Sequence, residues 1–95
     1  MAAYIIVQVE VTDPEAYKAY AAQVPTTLEK YGGEFVVRGG AMEIIEGDWP
    51  YPRVIVIKFP DMEQAKAWQA APEYQAPKAL RQSASKGNMI VVEGV

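Results

Sequence analysis

Hydrophobic residues recur along the chain with two different periods, and the change between them divides the chain into predicted strands and helices. Residues 4–11 are rich in β-branched side chains and alternate between apolar and polar towards their end, which predicts a first strand. One face of this strand carries Ile5, Val7, Val9 and Val11. The other face carries Tyr4, Ile6, Gln8 and Glu10, and it is apolar enough near the start to predict that both faces are covered.

A first helix is predicted to follow, beginning at Asp13. Asp13 can cap the helix and Pro14 suits its first turn. Pro25 removes a backbone donor, so we expect a kink or a split near Val24. Gly32-Gly33 ends the helix. The apolar residues at helical spacing are Tyr17, Tyr20, Ala21, Val24, Leu28 and Tyr31.

The middle of the chain predicts two further strands. Residues 34–38 begin the second strand, and Gly39-Gly40 interrupts it with a bulge or a close backbone approach. We expect residues 42–46 to resume this strand before a turn-rich loop at 47–52. Residues 53–59 form the third strand, whose nearly continuous apolar run indicates burial on both faces.

The last third of the chain predicts helical structure followed by a final strand. A second helix begins at Asp61, with Gln64 at capping-box spacing, and ends at Pro72. Residues 74–84 predict a further short helix, broken or begun at Pro77. Residues 88–93 form the last strand.

The resulting order is β-α-β-β-α-β with an extra helical turn before the last strand. This order predicts a single α+β domain over residues 1–95, of the ferredoxin-like type, with a four-stranded antiparallel sheet and its helices on one face. The other face is also apolar, since Val54 and Val56 alternate with Ile55, Ile57 and Phe59. An exposed apolar sheet face is typical of an interface, so we expect a two-fold homodimer through this face.

Composition narrows the possible chemistry. The 95 residues include neither Cys nor His, which excludes disulfides, thiolate nucleophiles, Ser-His and Cys-His pairs and the usual zinc, copper and haem ligands. The net charge of −3 and the scattered lysines argue against nucleic acid as a partner. No apolar run approaches a membrane span and no signal peptide precedes the first strand, so we expect a cytoplasmic protein. The carboxylates match no cation loop, so neither a metal nor a cofactor is expected.

Seven segments of the chain together resemble an uncharacterised bacterial family, domain-of-unknown-function family number 1330. They are residues 11–17 (VTDPEAY), 37–40 (VRGG), 46–50 (EGDWP), 56–60 (VIKFP), 67–68 (AW), 72–74 (PEY) and 92–94 (VEG). The resemblance covers nearly the whole chain in order. It implies membership of the dimeric α/β-barrel superfamily of ferredoxin-like proteins, in which two sheets face each other to form a barrel.

That superfamily implies several activities without assigning one to this chain. Its more distant members include cofactor-free monooxygenases of polycyclic aromatics, muconolactone isomerases, haem-dependent chlorite dismutases and stress-response barrels. The haem branch relies on a proximal His. The present sequence has no His, which argues against haem chemistry here.

Two arginines flank the central hairpin and are the first candidates for ligand binding. Arg38 ends the second strand and Arg53 begins the third. A guanidinium offers a planar fork that suits a carboxylate or a phosphate, so the pair would suit a small organic acid near an apolar cleft. The alternative is structural, and in it each arginine pairs with Glu46, Asp48 or Glu93.

Aromatic residues supply the second group of candidates. Tyr17 and Tyr20 share one face of the first helix, where a phenol could orient a substrate oxygen or act as a general acid. Trp68 and Tyr74 flank the end of the second helix and could form an aromatic pocket wall. The alternative for all four is core packing with their polar atoms bonded inside the protein.

Two hypotheses of different class follow for the function. The first is a homodimer that binds a small organic acid or aromatic molecule, with a cofactor-independent proton transfer or oxygenation as its chemistry if it is an enzyme. The second is a non-catalytic dimeric module of the stress-response or accessory type. The sequence leaves the substrate, the catalytic residues and the pathway open.

Overall fold

The fold of the protein is a two-layer α+β structure, described here by a computed structural model that covers residues 1–95. Its strands are β1 (Ala3–Val11), β2 (Glu34–Arg38), β3 (Arg53–Phe59) and β4 (Ser85–Glu93). Its helices are α1 (Pro14–Glu29), α2 (Met62–Ala70) and α3 (Pro72–Ala84). The strands form one antiparallel sheet in the order β2-β3-β1-β4, which is the ferredoxin-like arrangement with one added helix.

The hydrophobic core lies between the helices and one face of the sheet. Along β1 the buried residues alternate with partly exposed ones, as the sequence predicts. The sheet contributes Ala3, Ile5, Val7, Val9, Ile55, Ile57 and Phe59 to this core. The opposite face is left open, and the molecule is only 17 Å thick along its shortest axis.

Helix α1 is continuous through Pro25, so of the kink or split predicted near Val24, the split is wrong. Asp13 caps the helix as predicted, since its carboxylate accepts from the backbone N–H of Ala16 at 3.2 Å. Pro25 lies inside the helix and provides no N–H for the carbonyl of Ala21, four residues earlier. That carbonyl instead accepts a hydrogen bond of 2.9 Å from the Arg38 guanidinium, so the polar group exposed by the proline has a partner.

Helices α2 and α3 follow each other with a single residue between them. Asp61 caps α2 by accepting from the N–H of Gln64 at 2.8 Å, as predicted. Pro72 ends α2 and begins α3, which runs unbroken through Pro77. The prediction of a break or a start at Pro77 is therefore wrong. β4 begins at Ser85, three residues earlier than expected.

The second strand does not resume after Gly39, which contradicts the strand predicted at residues 42–46. β3 begins only at Arg53, and the segment before it contains Pro50 and Pro52, which have no backbone N–H for a ladder. Residues 42–46 therefore have no partner strand within the chain. Several apolar side chains of this segment are exposed, among them Met42, Ile44, Ile45 and Trp49.

Candidate functional site

An irregularity in β2 brings Arg38 to the helix-covered side of the sheet. Phe35 pairs with Ile57 and Arg38 pairs with Ile55, with a register shift between Phe35 and Val37. In a regular strand, residues three apart point to opposite faces. The bulge restores the same side for both, so that the Arg38 guanidinium lies 4.3 Å from the centre of the Phe35 ring. Of the bulge or close backbone approach predicted at Gly39-Gly40, the bulge lies earlier in the strand, between Phe35 and Val37.

Gly39 provides the close backbone approach that the sequence predicts, and the group that approaches it is Arg53. Gly39 has a φ of +69°, which side-chain-bearing residues rarely adopt. A Cβ atom at this position would overlap the Arg53 guanidinium. Arg53 pairs with the buried Val9 at the start of β3 and lies over the Tyr17 ring at 5.5 Å. The glycine therefore leaves room for a guanidinium between the sheet and α1.

A third arginine, Arg81, joins these two at the same cleft. Helix α3 buries Tyr74, Pro77 and Ala84, and helical spacing places Arg81 on that inward face. The sequence interpretation missed Arg81. The signal that could have found it is a charged residue within the apolar stripe of a helix.

The cleft lies between the sheet and α1, and its charged lining consists of arginines alone. Thirteen residues line it and ten of them are hydrophobic; the other three are Arg38, Arg53 and Arg81. The hydrophobic lining is Val7, Tyr17, Tyr20, Ala21, Val24, Phe35, Ile55, Ile57, Trp68 and Met89. Its empty space is about 420 Å³ including the open mouth, but the cavity inside is about 20 Å³, which is room for about one water molecule.

The arginines are not held by carboxylates. Their one hydrogen bond is the contact from Arg38 Nη2 to the carbonyl of Ala21. The Nε atoms of Arg53 and Arg81 are buried and have no hydrogen-bond partner in the protein. The alternative in which Arg38 and Arg53 pair with Glu46, Asp48 or Glu93 does not describe this structure.

Tyr20 connects the cleft to the interior. Its hydroxyl lies 3.0 Å from the hydroxyl of Tyr74, which is fully buried. Burial raises the pKa of Tyr20 well above its ordinary value, and the neighbouring Tyr74 raises this pKa further. The phenol is therefore neutral at physiological pH, and either hydroxyl of the pair can donate the hydrogen bond between them.

Of the six residues predicted for a ligand site, five line this cleft. They are Tyr17, Tyr20, Arg38, Arg53 and Trp68. Tyr74 lies behind the lining and packs against Trp68, with ring centres 4.0 Å apart. The indole N–H of Trp68 donates to the Thr27 hydroxyl at 3.0 Å, so its polar atom is already bonded. Gln8, the polar residue of the first strand, lies on the open face and accepts from Asn88 at 3.1 Å.

Comparison with solved structures gives matches to proteins of the same fold. A protein of unknown function from Rhodopseudomonas palustris has a TM-score of 0.81 at 20% identity, over 99% of this chain and 82% of that one. A dimeric ferredoxin-like protein of unknown function from Jannaschia sp. has a TM-score of 0.81 at 15% identity, over 99% and 100%. A cofactor-independent oxygenase from Streptomyces nogalater, SnoaB, has a TM-score of 0.71 at 14% identity, over 99% and 93%.

Comparisons of sequence give one family and no curated relative. The model of a family described as a domain of unknown function (DUF1330) matches residues 2–95. No match was found among curated proteins. No helix of the chain combines the length and the apolar composition needed to span a membrane.

Proposed function

The chain belongs to the family described as a domain of unknown function (DUF1330), and from its cleft we propose that it is a homodimer that binds a small organic acid or aromatic anion. The observation that carries this proposal is the combination of three arginines with an otherwise hydrophobic lining. Ligand sites are typically apolar with a few convergent polar groups, and guanidinium groups are suited to carboxylates.

The unsatisfied donors explain why an anion would bind. A buried N–H without an acceptor costs roughly 1–3 kcal/mol, and Arg53 and Arg81 each bury one. A carboxylate entering the cleft would accept from these groups in charge-assisted hydrogen bonds. The apolar body of the ligand would then contact Tyr17, Phe35 and Met89, which line the same space.

Binding would also require the cleft to widen. Its enclosed volume of about 20 Å³ accommodates about one water molecule, which is far less than an aromatic ring occupies. Arg53 and Arg81 are half-buried and their guanidinium groups have no hydrogen bond within the protein, so these two side chains have room to rearrange towards solvent. We therefore expect a ligand to displace these side chains instead of entering a preformed cavity.

Whether the protein is also an enzyme is a second part of the proposal. A cofactor-independent proton transfer or oxygenation needs a positioned acid–base group and a shaped cavity. Tyr20 supplies a neutral phenol beside the arginines. SnoaB, which shares the fold, is described as a cofactor-independent oxygenase, so consumption of dioxygen in the presence of an organic acid is the first activity to test.

The homodimer is proposed through the open face of the sheet. This face carries Ile6, Val54, Val56, Ile90 and Val92, of which Ile90 and Val92 are largely exposed. Such a surface is typical of a protein interface, and a self-complementary patch gives a two-fold dimer. Dimers among proteins of the same fold, such as the one from Jannaschia sp., support the proposal.

A non-catalytic accessory module is the second candidate. The observation that favours it is the small enclosed volume, together with polar atoms of Trp68 and Tyr74 that are bonded inside the protein. In that case the arginines would contribute only to the surface charge around the cleft.

Thermal unfolding in the presence of organic acids tests the proposal. A ligand at one hundred times its dissociation constant stabilises the folded state by about 2.7 kcal/mol. We expect benzoate or a related aromatic acid to raise the melting temperature of the wild type and of Lys66→Gln, an exposed residue on α2. We expect no rise in a variant that combines Arg53→Gln with Arg81→Gln. A wild type that responds to no organic acid favours the accessory module.

A further inference from the structure

The three arginines of the cleft differ in which of their donors are free. Arg38 uses Nη2 to bind the carbonyl of Ala21, and its guanidinium lies over Phe35. The guanidinium groups of Arg53 and Arg81 have no hydrogen bond within the protein, and the Nε atom of each is buried. Arg38 is thus held in place by the fold, whereas Arg53 and Arg81 retain a full set of donors.

The buried Nε groups define two separate forks. In a guanidinium, Nε–H and one Nη–H point in parallel and match the two oxygens of one carboxylate. Arg53 lies at the start of β3 and Arg81 in the last turns of α3, so their forks come from opposite layers of the molecule. Two forks on different elements are suited to two carboxylates, not to one.

The cleft that carries the two forks is also lined by aromatic side chains. Arg53 lies over the Tyr17 ring, and the ring centres of Tyr17 and Tyr20 are 5.5 Å apart. Tyr20 and Arg81 line the same cleft, together with Tyr17 and Arg53. An aromatic ring between Arg53 and Arg81 would therefore contact both tyrosines.

We infer that the ligand of this cleft is an aromatic dicarboxylate, with one carboxylate on the Arg53 fork, the other on the Arg81 fork and the ring against Tyr17 and Tyr20. The inference rests on the proposed function and deepens it by assigning two negative charges to the ligand. It also assigns a ligand-binding role to Arg81, while Arg38 contributes positive charge without binding a carboxylate directly.

Isothermal titration calorimetry with benzoate and the three benzenedicarboxylates tests this inference. At pH 8 each dicarboxylate carries two charges and benzoate carries one. We expect at least one dicarboxylate to bind at least about tenfold more tightly than benzoate, because it makes a second charge-assisted bidentate contact. Lys66→Gln, which removes one positive charge on α2, is expected to leave this preference unchanged.

Single substitutions at the forks separate the two contacts. Arg53→Gln or Arg81→Gln should lower the affinity for the preferred dicarboxylate by roughly tenfold, to the level of benzoate in the wild type. Benzoate affinity should fall by no more than about twofold in either variant, because one fork remains. Arg81→Lys keeps the positive charge without the fork and should also lose the preference for a dicarboxylate over benzoate. Circular dichroism of each variant checks that it is folded.

The outcomes distinguish the inference from the proposed function. Equal affinity of the wild type for benzoate and for all three dicarboxylates overturns the inference and leaves an organic-acid site in place. The same holds if Arg81→Gln affects benzoate and the dicarboxylate equally. If the wild type binds none of the four compounds, both the inference and the proposed function are wrong.

Discussion

In the proposed site, Arg53 favours ligand binding at the expense of the stability of the free protein. Its Nε–H is buried without an acceptor, which lowers the stability of the folded state by roughly 1–3 kcal/mol. The contact of its guanidinium with the Tyr17 ring offsets only part of this loss. Residues that bind ligands commonly lower the stability of the free protein. The same reasoning applies to Arg81.

We expect Arg53→Met to raise the stability of the free protein while weakening its binding of the benzenedicarboxylate that the wild type prefers. Met preserves most of the side-chain volume and has no polar N–H to satisfy. The free energy of unfolding should increase by about 1 kcal/mol, or roughly 4–8 °C in melting temperature for a domain of this size. Urea unfolding with and without the preferred benzenedicarboxylate measures both effects. Clear destabilisation of the free protein would show that Arg53 is a structural residue.

The raised pKa of Tyr20 predicts how the stability of the fold changes at high pH. Burial and Tyr74 raise its pKa, so the folded state keeps a proton that the unfolded state releases near pH 10. The stability from this group is therefore present below about pH 10 and is lost as the pH rises further. In Tyr20→Phe, the fall in unfolding free energy between about pH 10 and pH 11.5 should be shallower than in the wild type.

The same substitution should lower stability at neutral pH. The Tyr74 hydroxyl would remain fully buried without its partner, at a cost of roughly 1–3 kcal/mol. Tyr51→Phe, in the segment between β2 and β3, is the matched control and should change neither quantity. Urea unfolding at a series of pH values measures both. An unchanged pH profile in Tyr20→Phe would contradict the buried pair.

Among the elements, α1 and β2 are coupled through Pro25. The proline removes the N–H that would bond the carbonyl of Ala21, and Arg38 from β2 donates to that carbonyl instead. This hydrogen bond from Arg38 to the Ala21 carbonyl explains how the helix continues through a proline. It also fixes the position of Arg38 at the cleft.

We expect Pro25→Ala to raise stability, and to raise it more when Arg38 is absent. Alanine restores the helical N–H, but while Arg38 is present this N–H competes with the guanidinium for the carbonyl of Ala21. In the Arg38→Ala background nothing is displaced, so the gain should be larger by about 0.5–1.5 kcal/mol, the net value of one hydrogen bond. A double-mutant cycle by urea unfolding measures this difference, and Pro77→Ala combined with Arg38→Ala is the uncoupled control. Additive effects of Pro25→Ala and Arg38→Ala would contradict the link.

Most elements were predictable from the sequence because each has a clear period and a local start or stop signal. Asp13 and Asp61 cap helices where the sequence places them, and the alternation in β1 identifies its buried face. The predictions fail where a group distant in the sequence determines the local structure. Pro25 splits an isolated helix, but Arg38 bonds the carbonyl that it exposes. Residues 42–46 have strand-like composition, but the chain offers them no partner strand.

The candidate site was predictable in part for the same reason. Arg38 and Arg53 stand out in the sequence because they flank the hairpin, and both reach the cleft. Arg81 does not stand out, because its neighbours Gln82 and Ser83 give α3 a polar end. Its inward position follows only from the register of the helix set by Tyr74, Pro77 and Ala84. The bulge that redirects Arg38 has no signature in its own residues.

At the scale of the whole molecule, the open sheet face determines the proposed assembly. We expect Ile90→Glu to give a monomer, because a carboxylate in an apolar interface is left without a partner. Ala19→Glu, on the exposed side of α1, is the control and should remain dimeric. Sedimentation equilibrium measures the mass of both variants. A monomeric wild type, or a dimeric Ile90→Glu, would contradict an interface on this face.

Native mass spectrometry of the wild type mixed with benzoate and the benzenedicarboxylates tests the central claim most directly, because it reports assembly and ligand together. We expect a species of about 21 kDa, twice the chain mass of 10.5 kDa, that carries one or two bound aromatic acids. The variant with both Arg53→Gln and Arg81→Gln should give the same dimer without the added mass. A wild type without any adduct, or an equal adduct on the double variant, would contradict an arginine-lined site for an organic anion.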